Sequence, residues 1–383
     1  MYTVFVYIIM KSEIEQFLIE KIKKDGVIPF SSFMNITLFH ENYGYYNTSN
    51  IFGDKGDFIT SPITSSLFGE SMANEFINLS SNKNNLNILE MGGGDGSLAV
   101  SMMKYLSKLN CLPNTYIILE SSAKLKEQQI KIFKKEVPEL FNLFVWIKDL
   151  NIDNFEGLVV ANEFFDVNPT ERFKIKNNNF EKLFINFNDD DFEYVWNESD
   201  DILEKNLDIA LNKKEIKLPD NYMSEINTVY SDWISKLDKS IKSGVIFVID
   251  YGYNSEEYFA SERSDGTLVC IHNHQSNFNP LANIGKQDIS SFVNFSHLSN
   301  LAIKNNFLVD GYLSQSSFLL NLGILDIYEN KEYDVNQKLI ELNKLKNILL
   351  PNTMGEIFKV LILKKNITKK LVSTKEFNKI EKL

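Results

Sequence analysis

Apolar residues recur at helical spacing near the start of the chain, where Ile14, Phe17, Leu18 and Ile22 predict a helix over Glu13 to Lys24. Pro29 and Ser31 open a second helix through Phe33, Met34 and Leu38. A turn at Tyr43-Gly44-Tyr45-Tyr46, a loop from Gly53 to Pro62 and a helix from about Thr64 to Leu79 follow. The polar stretch Asn82 to Asn87 marks a boundary. Beyond it the period alternates. Strands are predicted at Leu86 to Met91, Tyr116 to Leu119, Phe144 to Ile147, Gly157 to Ala161 and Gly244 to Ile249. Helices fall between them at Gly96 to Ser107 and Ala123 to Lys135, and later strands at Phe307 to Tyr312 and Ile357 to Leu363. Strands alternating with helices imply a doubly wound, mostly parallel α/β sheet.

The fourth and fifth strands stand too far apart for one crossover. Arg172 to Trp196 alternates apolar and polar residues, as an antiparallel hairpin does, and Met223 to Lys242 reads as a long helix. Asp189-Asp190-Asp191 fits a solvated hairpin tip better than a calcium loop, because its spacing matches no EF-hand. The expected organisation is a helical cap at 1–85, a first α/β half at 86–170, an insertion at 171–243, a second half at 244–365, and a frayed or partly helical tail at 366–383.

An apolar share of 44% with Phe 29 and Tyr 16 excludes wholesale disorder, and a net charge of -11 argues against a dedicated nucleic-acid binder. Cys111 and Cys270 are the only cysteines and lie far apart, which excludes a disulfide scaffold or a cysteine zinc cluster. No apolar run reaches the roughly 20 residues that span a bilayer. The stretch Met1 to Met10 has neither the basic start nor the cleavage site of a signal peptide. Either Met10 is the true start or the stretch packs on the core. The lack of an arginine-rich leader favours a bacterial cytoplasm over a mitochondrial matrix.

Glu90-Met91-Gly92-Gly93-Gly94-Asp95-Gly96-Ser97 leaves an apolar strand and enters a helix. Gly92, Gly94 and Gly96 allow a sharp turn and close approach of a ligand, and the helix start favours negative charge. A dinucleotide fingerprint would want glycine or alanine where Ser97 stands, and calls for no acid before the first glycine. The run of acid and alternating glycines instead resembles the first motif of class I S-adenosylmethionine (SAM) methyltransferases. That resemblance gives Glu90 the methionine end of the cofactor. Glu120, 24 positions after Gly96, is placed for the ribose hydroxyls. Asp149 ends the third strand, either for an adenine amine or as a helix cap.

The fourth strand delivers Ala161-Asn162-Glu163-Phe164-Phe165-Asp166-Val167-Asn168-Pro169 to the edge where open α/β sheets bind ligands. Glu163 and Asp166 there suit a cationic or hydroxylic acceptor, which a carboxylate can grip and deprotonate. The alternative is an Asx-type turn with both phenylalanines in the core. Asp250-Tyr251-Gly252 ends the fifth strand at the same edge, where Asp250 either orients an acceptor or caps the next segment.

These motifs, taken with Gly44-Tyr45-Tyr46, Gly56-Asp57-Phe58-Ile59-Thr60-Ser61-Pro62, Phe68-Gly69-Glu70, Gly266-Thr267-Leu268, Asp288-Ile289-Ser290 and Met354-Gly355-Glu356, resemble the MidA group of SAM-dependent methyltransferases. The resemblance runs from about Phe33 to Lys364. It implies a class I, Rossmann-like, seven-stranded sheet with a helical N-terminal cap, and SAM as cofactor. It implies symmetric methylation of arginine on a protein, in the mitochondrial member on a respiratory complex I subunit. Neither nucleic acid nor membrane insertion is expected, and a homodimer is left open. By the same resemblance Thr60 and Ser61 bond SAM, Tyr45 and Tyr46 wall its pocket, and Asn162 joins the cofactor contacts; ordinary turn packing is the alternative for the cap loops. The chain departs from the family at Val167-Asn168, Gln275 and Asn279, where a substrate is expected to dock. A non-catalytic SAM-binding assembly factor is the other function compatible with these motifs; a nicotinamide oxidoreductase is disfavoured by Ser97 and Glu90. His272 and His274 read as a polar strand rather than a zinc site, for want of a third ligand.

Overall fold

A computed structural model describes residues 11–48, 61–81, 83, 85–211 and 215–383. Seven strands build the central sheet: β1 (Asn87–Met91), β2 (Tyr116–Leu119), β3 (Phe144–Ile147), β4 (Phe155–Asn162), β5 (Ile241–Tyr253), β6 (Leu308–Ser314) and β7 (Phe358–Lys365). Their order is β3-β2-β1-β4-β5-β7-β6, with a two-residue strand, Val293–Asn294, pairing beside the end of β5. Every pairing from β3 to β5 is parallel, and β7 runs antiparallel to both neighbours. The strand order reverses between β1 and β4, which is where a doubly wound sheet opens a crevice.

The two central strands β4 and β5 carry apolar runs at 158–161 and 245–249 because both their faces are covered there. One face packs helices Ser66–Ser80 and Ser97–Lys108, with Phe76, Met102 and Leu106 buried. The other packs helices Tyr230–Ser240 and Phe295–Lys304, with Ile234, Leu237 and Leu298 buried. Helix Ser66–Ser80 therefore belongs to the main core, although it precedes the expected domain boundary. It is also separate from a short turn of helix at Ser61–Thr64.

The insertion is larger than a hairpin. Strands Glu171–Lys176, Asn179–Asn188 and Asp191–Glu198 form a meander, and Asp189 and Asp190 take left-handed backbone at its tip, as a tight two-residue turn requires. Met223–Ile226, expected to be helical, is a strand paired antiparallel with Glu171–Lys174; the helix begins only at Tyr230. Buried Glu225 breaks the apolar alternation that would have shown this strand, because its carboxylate accepts the backbone N–H groups of Thr267 and Leu268. Ile28–Pro29 pairs with Phe184 and Ile185, so cap and insertion share one sheet and one core that includes Leu18, Phe33, Leu183 and Ile289. Buried Lys182, held by Glu171 at 2.9 Å, and Ser31, bonded to the same glutamate, staple the two together.

Two further expectations are corrected. The tail is docked rather than frayed: Leu371 and Leu383 are buried, and Glu75 accepts the N–H of Val372 and of Ser373. His272 ends one strand while His274 sits at positive φ in the following turn, so the two do not share a strand face.

Candidate active site

At the carboxyl edge of β1, β2, β4 and β5 lies a cavity of about 520 Å³, inside the roughly 300–1,000 Å³ range of small-molecule sites. Its floor is the glycine loop. Gly92, Gly94 and Gly96 have φ of 76°, 50° and 87°, all left-handed. A Cβ on Gly96 would stand 2.7 Å from Phe133 Cε1. Substituting Gly96 by alanine is expected to cost about 1–3 kcal/mol through backbone strain and that clash. A fall in thermal midpoint accompanied by lost S-adenosylhomocysteine binding in calorimetry would register it. Asp95 then turns the chain into the helix, accepting Ser97 N at 2.9 Å and Ser97 Oγ at 2.6 Å.

Glu90 lines the cavity from β1 and accepts the Tyr116 hydroxyl at 2.9 Å. Burial pushes its carboxyl up to about 8, against the help of that hydroxyl. Glu120 accepts Ser122 N at 2.9 Å and Gln129 Nε2 at 3.3 Å; burial pushes it up to about 7. Asp149 lines the same cavity just beyond β3. These acids span three strand ends, as one elongated polar ligand would require.

Beyond β4 the wall becomes acidic. Glu163 holds φ 50°, an uncommon conformation for a side-chain-bearing residue, fixed by its N–H donating to Ile249 O at 2.9 Å. Its carboxylate meets Asn162 Nδ2 at 3.2 Å, and burial followed by the charge of Asp166 pushes it up to about 8. Asp166 is buried and raised by desolvation, although the Tyr251 hydroxyl donates to it. Asp288 is raised to about 7 by burial and by Asp166. The ion pairs among the described residues leave Glu163, Asp166, Asp250 and Asp288 out. Three buried acceptors in this wall, Asn162 Oδ1, Asp166 Oδ1 and Asp288 Oδ2, have no partner.

Several expected site residues sit elsewhere. Asp250 is fully buried beneath the loop and does not line the cavity; it accepts Phe165 N at 3.0 Å, Asp166 N at 3.3 Å and Tyr251 N at 3.1 Å. It shapes the loop rather than touching an acceptor. The Ser61 hydroxyl is bonded to Gln315 at 3.2 Å, and it is Pro62 that reaches the cavity. Tyr46 lines the cavity while Tyr45 is core. Thr60 lies outside the described residues. Asp288, Tyr251 and Trp233 went unassigned in sequence, the first two although their motifs were visible. Trp233 comes from the helix before β5; its Nε1 donates to Asn168 at 2.8 Å, and Asn168 in turn donates to Phe164 O at 2.6 Å. Asn168, a departure from the family pattern, thus ties the acidic loop to that helix.

A β3-β2-β1-β4-β5-β7-β6 sheet whose crevice opens on an acid-flanked glycine loop defines the class I SAM-dependent methyltransferases. The chain belongs to the MidA-like family within that class: the family model described as S-adenosyl-L-methionine-dependent methyltransferase matches residues 67–313. It is 27% identical over 373 residues to the mitochondrial protein arginine methyltransferase NDUFAF7 of Mus musculus, covering 89% of this chain and 82% of that protein. The homologous protein of Caenorhabditis elegans is 25% identical over 339 residues, covering 82% and 77%. A superfamily member from Burkholderia thailandensis, described as a methyl transferase and bound to S-adenosyl-homocysteine, superposes with a TM-score of 0.89 at 26% identity, over 97% of this chain and 96% of that one. A second crystal structure of a superfamily protein from the same organism gives 0.87 at 27% identity, over the same shares.

Proposed function

We propose that this methyltransferase acts on the guanidinium of an arginine in a protein substrate. The observation that carries the reading is the acidic wall: buried carboxyl groups, raised by desolvation and mutual repulsion, line the cavity with no ion-paired cation among the described residues. A buried site of this kind is completed by a positive ligand rich in N–H donors. The names of the relatives, protein arginine methyltransferases, support the same acceptor. The family resemblance extends the proposal to a respiratory complex I subunit as substrate.

The cavity fits SAM. Glu90 would meet the positive methionine end, the glycine loop would admit the cofactor without a Cβ in the way, Glu120 would take the ribose hydroxyls, and Asp149 the adenine amine. When bound, SAM supplies an electrophilic methyl group. The residues of this chain orient the guanidinium, exclude water and accept one proton at Glu163 Oε; Asp166 holds the cation in register. Losing the two ribose bonds in Glu120→Ala is expected to weaken S-adenosylhomocysteine about ten- to a hundredfold, read by calorimetry.

The acceptor itself is tested by comparing the proteomes of cells with and without the gene. Arginine-methylated peptides that disappear on deletion are expected; a proteome whose arginine methylation is unchanged counts against the reading.

A further inference from the structure

Asp288-Ile289-Ser290 forms a short buried strand paired with Val269–Ile271. Strand alternation puts Asp288 and Ser290 on one face. Asp288 lines the cavity, accepts the Tyr46 hydroxyl at 3.0 Å on Oδ1, and keeps Oδ2 buried without a partner. Ser290 lies 3.0 Å from the Tyr251 hydroxyl, which donates to Asp166 Oδ2, and Asp166 Oδ1 is likewise buried and partnerless. The backbone closes the same bridge, Ser291 N donating to Asp166 O at 3.0 Å. Two carboxylates from distant parts of the chain are therefore braced to each other; both residues line the same cavity, and each keeps one buried oxygen without a partner.

We propose that Asp288 is the second carboxylate of the acceptor clamp, opposite Asp166 across the seat of a planar, two-armed cation. The proposal rests on the guanidinium reading and adds to it the residue that sets specificity. A guanidinium presents five N–H donors in one plane and can satisfy oxygens on two sides at once. An ammonium gathers three donors around a point and leaves one side unmet. The orphan oxygens of Asp166, Asp288 and Asn162 call for the first geometry. Tyr46, carried by the cap and itself part of the cavity lining, holds the Asp288 carboxylate in place through its hydroxyl.

Calorimetric titration of the protein loaded with S-adenosylhomocysteine tests this, using agmatine as guanidinium probe and 1,4-diaminobutane as ammonium probe. The wild-type protein should prefer agmatine. Asp288→Asn should weaken agmatine about ten- to a hundredfold and erase the preference, with S-adenosylhomocysteine affinity unchanged. Should that variant fail to bind S-adenosylhomocysteine, Tyr46→Phe carries the test, and a smaller loss of agmatine affinity with a reduced preference is expected. Unchanged agmatine affinity and preference in the variant that binds cofactor overturn the clamp and leave the guanidinium reading standing. A wild-type protein that binds both probes alike, or neither, overturns the clamp and the guanidinium reading together.

Discussion

Replacing Glu163 by glutamine is expected to lower the rate of methyl transfer by about a hundred- to ten-thousandfold, the usual contribution of a positioned general base. S-adenosylhomocysteine should bind as before. The amide keeps the size of the side chain and its contact with Asn162, so the fold is spared while the proton acceptor is lost. The same assignment fixes a pH dependence. Glu163 in the free enzyme is pushed up to about 8, and it must be ionised to accept a proton. The specificity constant kcat/KM should therefore rise with pH and level off above about 8, while kcat, measured with the cation in place, should level off at lower pH. Stopped-time radiolabel assays across pH 6–9 would show both limbs; a glutamine variant retaining wild-type turnover would remove Glu163 from the chemistry.

The second large effect falls on stability. Asp250→Ala should destabilise the protein by about 2–5 kcal/mol, because it strips a fully buried acceptor from three backbone N–H groups and leaves a void. Activity should fall with it, since Phe165 and Asp166 lose the anchor that sets their position. Denaturant midpoints would measure the first loss. A variant with an unchanged midpoint would mean that the loop holds its shape without this carboxylate.

Much of the central sheet was legible because its strands are apolar runs closed by glycine or acid. Local pattern placed β2 and β3 at the observed residues, and β1 one residue early. The glycine loop was visible for the same reason, its geometry being demanded by adjacent residues. What escaped depends on distant partners. The strand Met223–Ile226 hides behind Glu225, whose burial makes sense only with Thr267 and Leu268 beside it. The tail looked loose because Glu75, nearly 300 positions earlier, holds it. The acidic site was half visible: Glu163 and Asp166 leave the same strand, whereas Asp288 joins them only through the fold. Asp250 was found with two roles open, since sequence cannot tell a carboxylate facing a cavity from one facing backbone amides, and the structure shows it facing the amides.

The most direct measurement incubates the purified protein with radiolabelled SAM and a lysate from cells lacking the gene, then hydrolyses the labelled protein to amino acids. Label recovered as methylarginine, and absent with the Glu163→Gln variant, is the predicted result. Cofactor binding without transfer, or label recovered on any other residue, would contradict it.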